Sequence, residues 1–179
     1  MNKKIFGWSI WGAILVTITG TLLHFGYSST NNFWVGFIAP INESVWEHMK
    51  LVFYPVLFFS VIEWLTYSKK PDKFWFSVLL QEFIGIAFIM IFFYTYTSLV
   101  RHSILAFDIG SFVLAIVLAK IVHFQLLTKK SNFAISNFVA VTYLLALLTF
   151  FVICTVNPPR NRIFIDPNEN TYGIYQLNQ

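Results

Sequence analysis

The sequence predicts an all-α integral membrane bundle of five transmembrane helices with a short extracytoplasmic C-terminal tail. Of its 179 residues, 57% are hydrophobic and only 11% are charged, whereas about 25% of the residues of a soluble protein are charged. A helix needs about 20 mostly apolar residues to cross the hydrocarbon core of a bilayer. Five segments meet this condition, and we expect spans at 5–26, 47–66, 74–98, 104–127 and 133–156.

The first span follows the short basic start "MNKK". Its apolar run is longer than that of a signal peptide, and no small-residue cleavage site follows it, so we expect it to be retained as a helix. The next apolar stretch, 33–41, is too short to cross a membrane. Its aromatic residues and Pro40 are typical of an interfacial segment or a buried re-entrant turn, and both interpretations stay open.

The second span begins at the stretch "SVWE", which has the pattern of a capping box. Ser44 is a favourable N-cap residue, and Glu47 stands three residues later, where its carboxylate reaches back to the cap. Further along, Pro55 removes one helical hydrogen bond. We therefore expect a kink there and a freed carbonyl group that a neighbouring element satisfies.

The tail after the fifth span differs in kind from the spans. "NPP" ends the helix, "RIFID" has the apolar alternation of a short strand, and "PNEN" is typical of a turn. We expect residues 1–156 to form the transmembrane domain. We expect residues 157–179 to fold back over the outer face and to bring Arg162, Asp166 and Tyr172 near the polar residues there.

Basic residues near the span ends predict the orientation. One alternating set of span ends carries Lys3, Lys4, Lys69, Lys70, Lys73, Lys129 and Lys130. The other set carries Arg101, Arg160 and Arg162. Since Lys and Arg favour the cytoplasmic side, the N-terminus is predicted inside and the tail outside. The basic residues thus form short clusters at the ends of spans in a lipid bilayer. They are not gathered on one soluble surface, as expected of a nucleic-acid-binding domain.

Several histidines and carboxylates fall near the predicted outer surface. The candidate catalytic residues are His24, Glu43, Glu47, His48 and His102. They come from the end of the first span, the start of the second and the turn between the third and fourth. Imidazole and carboxylate groups with one open position are the usual ligands of a hydrolytic zinc. We take His24, His48 and Glu43 as candidate ligands of zinc or another divalent metal.

Acid–base chemistry without a metal is an equal alternative for this group. The chain contains neither H-E-x-x-H nor G-x-S-x-G, so no motif selects between these mechanisms. A purely structural interpretation also stands, because Glu43 and Glu47 favour the positive end of a helix dipole and Lys50 lies one turn from Glu47. For a lipid or small-molecule ligand, the candidate binding residues are Lys50, Arg101, Asp108 and Tyr172.

A second polar group lies toward the predicted inner side. Glu82 and Lys120 are at similar depth on adjacent antiparallel spans, so we expect an intramembrane ion pair. Adding Glu63 and His123 makes a proton relay of the kind found in carriers, which is the alternative. Five spans do not divide into two equal repeats, and this disfavours a carrier.

The stretches "HFGY", "APINESVWEHMKL" and "FIDPNENTYGIY" together resemble an uncharacterised family of small bacterial polytopic membrane proteins, a domain of unknown function. The likeness spans nearly the whole chain and is most specific in the Asn-Glu-Ser-Val-Trp-Glu-His run. It implies a compact bundle in the bacterial cell membrane. It implies no activity, substrate or catalytic residue.

Two classes of function follow from the residues themselves. The first is a membrane enzyme, a metal-assisted or acid–base hydrolase or transferase, acting on a lipid or envelope-derived substrate at the outer leaflet. The second is a non-catalytic carrier of a small solute, or an accessory subunit whose polar residues bind a partner. The sequence does not indicate which protein such a partner is.

Overall fold

Five long helices make up most of the chain in the computed structural model, which describes residues 2–129 and 135–176. They are α1 (Asn2–His24), α3 (Val45–Thr66), α4 (Phe74–Val100), α5 (Leu105–Thr128) and α6 (Asn137–Val156). The shorter elements are α2 (Gly26–Thr30), a 3-10 turn (Val35–Phe37) and α7 (Gly173–Gln176). All five long helices are long and apolar enough to span a membrane. The predicted all-α, multi-pass membrane bundle is therefore confirmed.

The helix boundaries agree with the predicted spans to within a few residues, and residues 133–134 of the fifth span lie outside the described residues. Local capping explains three of these boundaries. Ser44 Oγ accepts a hydrogen bond from the N–H of Glu47 at 3.3 Å, which begins α3. Ser136 caps α6 in the same way. Arg101 ends α4 in the left-handed conformation, with φ of 64°, a common way to close a helix.

Four of the long helices form a closed ring. Helix α1 packs against α3 and α5, and α4 packs against the same two helices. Helix α6 packs on α4, and its Phe151 also stacks on Trp46 of α3, with ring centroids 4.7 Å apart. Consecutive spans are therefore mostly neighbours, as expected for short connections.

A close approach of α1 to α3 involves a glycine and a proline. Pro55 has no N–H, so the Leu51 carbonyl four residues earlier lacks its usual helical donor. A Cβ placed on Gly20 would lie 2.5 Å from this carbonyl oxygen and 2.7 Å from the ring of Phe112. Gly20 therefore lets α1 approach the carbonyl that Pro55 frees. A donor that satisfies this carbonyl, and a kink at Pro55, stay predictions.

The "RIFID" stretch is not a strand, so that prediction was wrong. Residues 160–165 form turns and bends. The Ile163 carbonyl accepts a hydrogen bond from the N–H of Trp46 at 3.0 Å, and Phe164 packs on the Trp46 ring. The alternating apolar residues therefore pack against the start of α3, and their backbone bonds to a helix end instead of to another strand.

Candidate functional site

His24, Glu43 and His48 lie together at one end of the bundle, which we call the cluster end. The Nε2 atoms of His24 and His48 are 3.2 Å apart. Glu43 Oε2 lies 3.4 Å from His48 Nε2 and 3.9 Å from His24 Nε2. Within residues 2–129 and 135–176, these three form the one group of His, Cys, Asp and Glu side chains close enough to share a metal ion.

Three different elements position these side chains. His24 is the last residue of α1, His48 lies in the first turn of α3, and Glu43 belongs to the connection just before α3. Packing of α1 on α3 brings the two helix ends together. The cluster thus depends on a contact between residues 24 positions apart in the chain.

The hydrogen bonding of His48 defines which of its ring nitrogens is available. His48 Nδ1 lies 2.9 Å from the Ser44 carbonyl oxygen. Since a carbonyl only accepts hydrogen bonds, Nδ1 carries the hydrogen and the Nε2 of the neutral ring presents a lone pair. That lone pair faces His24 and Glu43. A carbonyl behind a ligating histidine is the usual support for a metal ligand.

The distances within the cluster match those between the ligands of a small ion. Zinc binds histidine nitrogen and carboxylate oxygen at about 2.0–2.2 Å, so the donor atoms of a tetrahedral site lie about 3.3–3.5 Å apart. The observed separations are 3.2, 3.4 and 3.9 Å. Three protein ligands leave one tetrahedral position open, which is typical of catalytic sites.

The cluster is open to its surroundings. The side chains of His24 and His48 are 33% and 29% exposed, and that of Glu43 is 50% exposed. Without a metal, a proton on His48 Nε2 donates a hydrogen bond to Glu43 and lowers the pKa of its carboxyl group, although partial burial acts in the opposite direction. Glu43 is therefore ionised at neutral pH, as a metal ligand or a hydrogen-bond acceptor must be.

Glu47 and Lys50 form a separate buried ion pair. Lys50 Nζ donates to Glu47 Oε2 at 2.6 Å and to the Gly36 carbonyl at 2.8 Å, and its side chain is fully buried. Glu47 Oε2 also accepts from the N–H of Ile41 at 3.0 Å. The expected pairing of these two residues is confirmed, whereas neither side chain is accessible to a substrate in this conformation.

The capping box is only half formed. Ser44 accepts from the N–H of Glu47, as expected. The reciprocal bond from the Glu47 carboxylate to the N–H of Ser44 is absent, because that N–H donates to Asn42 Oδ1 at 3.0 Å. The carboxylate turns to Lys50 and Ile41 instead, since a buried charge is stabilised most by an opposite charge.

Other residues predicted at this site lie outside the cluster. His102 is exposed, and its Nδ1 lies 3.0 Å from the Val100 carbonyl. Arg101 is the exposed cap of α4. Asp108 accepts a hydrogen bond from the hydroxyl of Tyr96, which also accepts from the N–H of Ile104. These contacts stabilise the turn between α4 and α5.

The C-terminal segment contacts the cluster through Asp166. Its Oδ2 accepts a hydrogen bond from the N–H of Glu43 at 3.2 Å. Its Oδ1 accepts from the N–H of Asn168 at 2.7 Å and from that of Glu169 at 3.3 Å. Tyr172 is half-buried and packs against the apolar core. Asp166 is thus the residue of this segment that touches the backbone of a candidate ligand.

Glu82 and Lys120 do not form the direct ion pair expected of them. Both are buried and near enough for their charges to interact. Among the described residues, however, no ion pair within 4.0 Å joins them. Neither carboxylate oxygen of Glu82 has a hydrogen-bond partner. The Lys120 side chain instead extends toward α1, where its Nζ lies 3.1 Å from the position of a Cβ on Gly12. Matched depth alone therefore did not predict contact.

The partners of the other two inner residues were missed from sequence. His123 Nε2 lies 3.3 Å from Glu63 Oε1, which also accepts from the Tyr67 hydroxyl at 2.7 Å. His123 Nδ1 lies 3.0 Å from Ser77 Oγ. Burial and the hydrogen bond to Glu63 raise the pKa of Tyr67. No sequence signal marks Tyr67 and Ser77, because single hydroxyl groups are common at helix ends.

Comparison with known proteins gives a family and no individual relative. No curated protein matches the chain. No solved structure matches it. A family described as a family of unknown function (DUF6512) matches residues 1–174, which is nearly the whole chain. The chain therefore belongs to this family of unknown function.

Proposed function

We propose that the cluster end of the bundle binds a divalent metal ion, zinc being the best fit, through His24 Nε2, His48 Nε2 and a Glu43 oxygen. The observation that carries this proposal is the geometry of the three donor atoms, whose separations are 3.2, 3.4 and 3.9 Å. Three groups that all present lone pairs to one point are stabilised by a cation placed between them.

The activity that this site supports best is metal-assisted hydrolysis of a lipid or envelope-derived ester, or the related group transfer. A bound zinc supplies a Lewis acid that lowers the pKa of a coordinated water to about 7. The net reaction adds water across an ester bond and gives an acid and an alcohol. The half-exposed position of Glu43 at the end of two apolar helices supports a site at the depth of lipid headgroups.

The orientation proposed for this site is outward. The support is the set of lysines near the opposite ends of the helices, including Lys4, Lys69 and Lys70. Lysines of this kind favour the cytoplasmic side of a bacterial membrane. The substrate would then come from the outer leaflet or the envelope.

Metal binding is tested by calorimetric titration of zinc chloride into metal-free protein purified in detergent. His24→Ala and His48→Ala should each weaken binding by about 100-fold or more, beyond the 10–100-fold that is typical of losing an outer-shell partner. His102→Ala is the matched control, since His102 is exposed and outside the cluster. Equal binding by the wild type and all three variants would contradict the proposal.

Catalysis needs its own experiment. The wild type and His48→Ala are incubated with vesicles of bacterial lipid extract, with zinc and with a chelator, and the lipids are compared by mass spectrometry. A product formed only by the zinc-loaded wild type supports a hydrolase or transferase. If zinc binds but the lipid profiles are identical, the enzymatic part of the proposal is wrong.

A second candidate is a non-catalytic carrier or accessory subunit. The observation that favours it is the set of buried polar side chains inside the helix ring, including Glu63, Glu82, Lys120 and His123. Ionisable residues within spans often mark ion or proton pathways. In that case zinc binding would stabilise the fold and no lipid product would form.

A further inference from the structure

The interior of the helix ring contains a second polar region, remote from the cluster. Seven polar side chains from α3, α4 and α5 are almost completely buried there: Ser60, Glu63, Ser77, Gln81, Glu82, Lys120 and His123. Along α3, Glu63 lies 15 residues beyond His48, or about 22 Å at 1.5 Å per residue. This region shares no residue with the proposed metal site.

One half of the region is satisfied by hydrogen bonds. Ser77 Oγ donates its single hydrogen to the Phe74 carbonyl at 2.6 Å, so it accepts from His123 Nδ1 at 3.0 Å. His123 Nε2 faces Glu63 Oε1 at 3.3 Å. Since two lone pairs would otherwise face each other, one proton must lie between these two atoms.

The other half is not satisfied. Glu82 is fully buried, and neither of its carboxylate oxygens has a hydrogen-bond partner. Gln81 donates to Ser60 Oγ at 3.1 Å, while its own buried carbonyl oxygen has no partner. An ionised carboxylate in such surroundings is strongly disfavoured, and the group becomes neutral by taking up a proton.

The charged groups around Glu82 are few. Lys120 and His123 on α5 and Glu63 on α3 surround this region. Helix α1 between Lys4 and His24, and the whole of α6, carry no charged residue. Lys120 interacts electrostatically with both Glu63 and Glu82, and Glu63 already lies within hydrogen-bond distance of His123 and Tyr67.

We propose that Glu82 is a proton-binding site inside the bundle, neutral in the conformation described here, with Lys120 as the charge that balances its carboxylate after release. Release breaks one O–H bond and passes the proton to water that reaches the site. The carboxylate that remains is stabilised by the Lys120 ammonium group. This inference does not depend on the metal site, since the two are separate in the fold.

The test is infrared spectroscopy of the full-length protein in lipid at neutral pH, where exposed carboxyl groups are ionised. The wild type should show a carboxylic-acid C=O stretching band that shifts in heavy water. Glu82→Gln should remove this band, while the matched variant Glu63→Gln should keep it. A wild type without the band, or an unchanged Glu82→Gln spectrum, would overturn the proposal.

Lys120→Met provides a second measurement that does not require Glu82→Gln to fold. Raising the pH should remove the band from the wild type, and removing the balancing charge should move this loss to higher pH. An identical titration in Lys120→Met would overturn the role of Lys120. If the band is present in choline buffer and absent in sodium buffer, the occupant is a sodium ion and the proton assignment is wrong.

Discussion

The carboxylate of Asp166 accepts a hydrogen bond from the backbone N–H of Glu43, a residue 123 positions earlier in the chain. The same carboxylate accepts from the N–H groups of Asn168 and Glu169, so it also closes the turn that follows it. Asp166 therefore links the folding of the C-terminal segment to the position of one candidate metal ligand. The backbone of Glu43 is held from outside the helices that carry His24 and His48.

Asp166→Ala should lower zinc affinity by about 10-fold, the lower end of the range for residues that orient a ligand. The physical reason is that Glu43 loses the bond that restricts its backbone, while all three donor atoms remain. Zinc titration by calorimetry measures the change. Asp72→Ala is the control, because Asp72 is exposed and lies in the connection between α3 and α4. Equal zinc affinities for the two variants would show that Asp166 does not help to position Glu43.

Zinc affinity should fall as the pH is lowered through about 6.5, the usual pKa of histidine. A ligating imidazole must be neutral, so two protons compete with the metal at His24 and His48. The lowered pKa of Glu43 keeps this carboxyl ionised through that range. Its own contribution to folding stability is present above its unfolded-state pKa, and it is lost only as the pH falls through the lower folded-state value.

The measurement is the zinc dissociation constant at a series of pH values, with its slope giving the number of protons released. Glu43→Gln should bind more weakly and still lose affinity on the acid side through histidine protonation, since both histidines remain. A loss of affinity centred near pH 4, about where glutamate titrates, would instead assign the pH dependence to a carboxylate.

Lys50→Met should destabilise the protein by about 3–5 kcal/mol, the typical cost of leaving one partner of a buried ion pair alone. The remaining Glu47 carboxylate is 3% exposed and would keep only the N–H of Ile41 as a partner. The double variant Glu47→Gln/Lys50→Met should recover part of the loss. Denaturant unfolding in detergent measures both. Strictly additive losses would show that the two residues are not coupled.

Gly20→Ala should destabilise the bundle by about 1–3 kcal/mol, the usual cost of overpacking. Its new methyl group would overlap the Leu51 carbonyl and the Phe112 ring, and the backbone atom cannot rotate away. Gly7→Ala in the same helix is the control, because nothing lies within 4 Å of its Cβ. That variant should be neutral or slightly stabilising, since alanine is the better helix former. Equal melting temperatures for the two variants would contradict the close approach of α1 to α3.

A cysteine introduced at Asn168 should react with an impermeant maleimide added to spheroplasts, whereas one at Asp72 should react only after lysis. Both positions are exposed, and the predicted orientation places them on opposite sides of the membrane. Cys154, which is buried, is replaced by alanine in both. Residues 130–134, including Lys130, lie outside the described residues, so Asp72 represents the predicted inner side. The opposite labelling pattern would invert the orientation and place the cluster inside.

The five long helices and their approximate limits could be predicted from the sequence, because the length and polarity of each segment alone decide whether it can span a membrane. Apolar runs of sufficient length span a membrane whatever their neighbours are. The capping-box pattern predicted the N-cap at Ser44, and the spacing of Glu47 and Lys50 predicted their pairing. His24, Glu43 and His48 were also chosen as a metal set on residue type and depth alone.

The tertiary structure decided which of these side chains meet, because contact depends on how each helix is rotated about its axis. Glu47 and His48 are adjacent in sequence but about 100° apart around α3, so one points into the bundle toward Lys50 and the other toward His24. Glu82 and Lys120 have matching depth and do not pair. Asp166 reaches Glu43 only because the C-terminal segment packs on the start of α3. The residue pattern within either segment does not predict this packing.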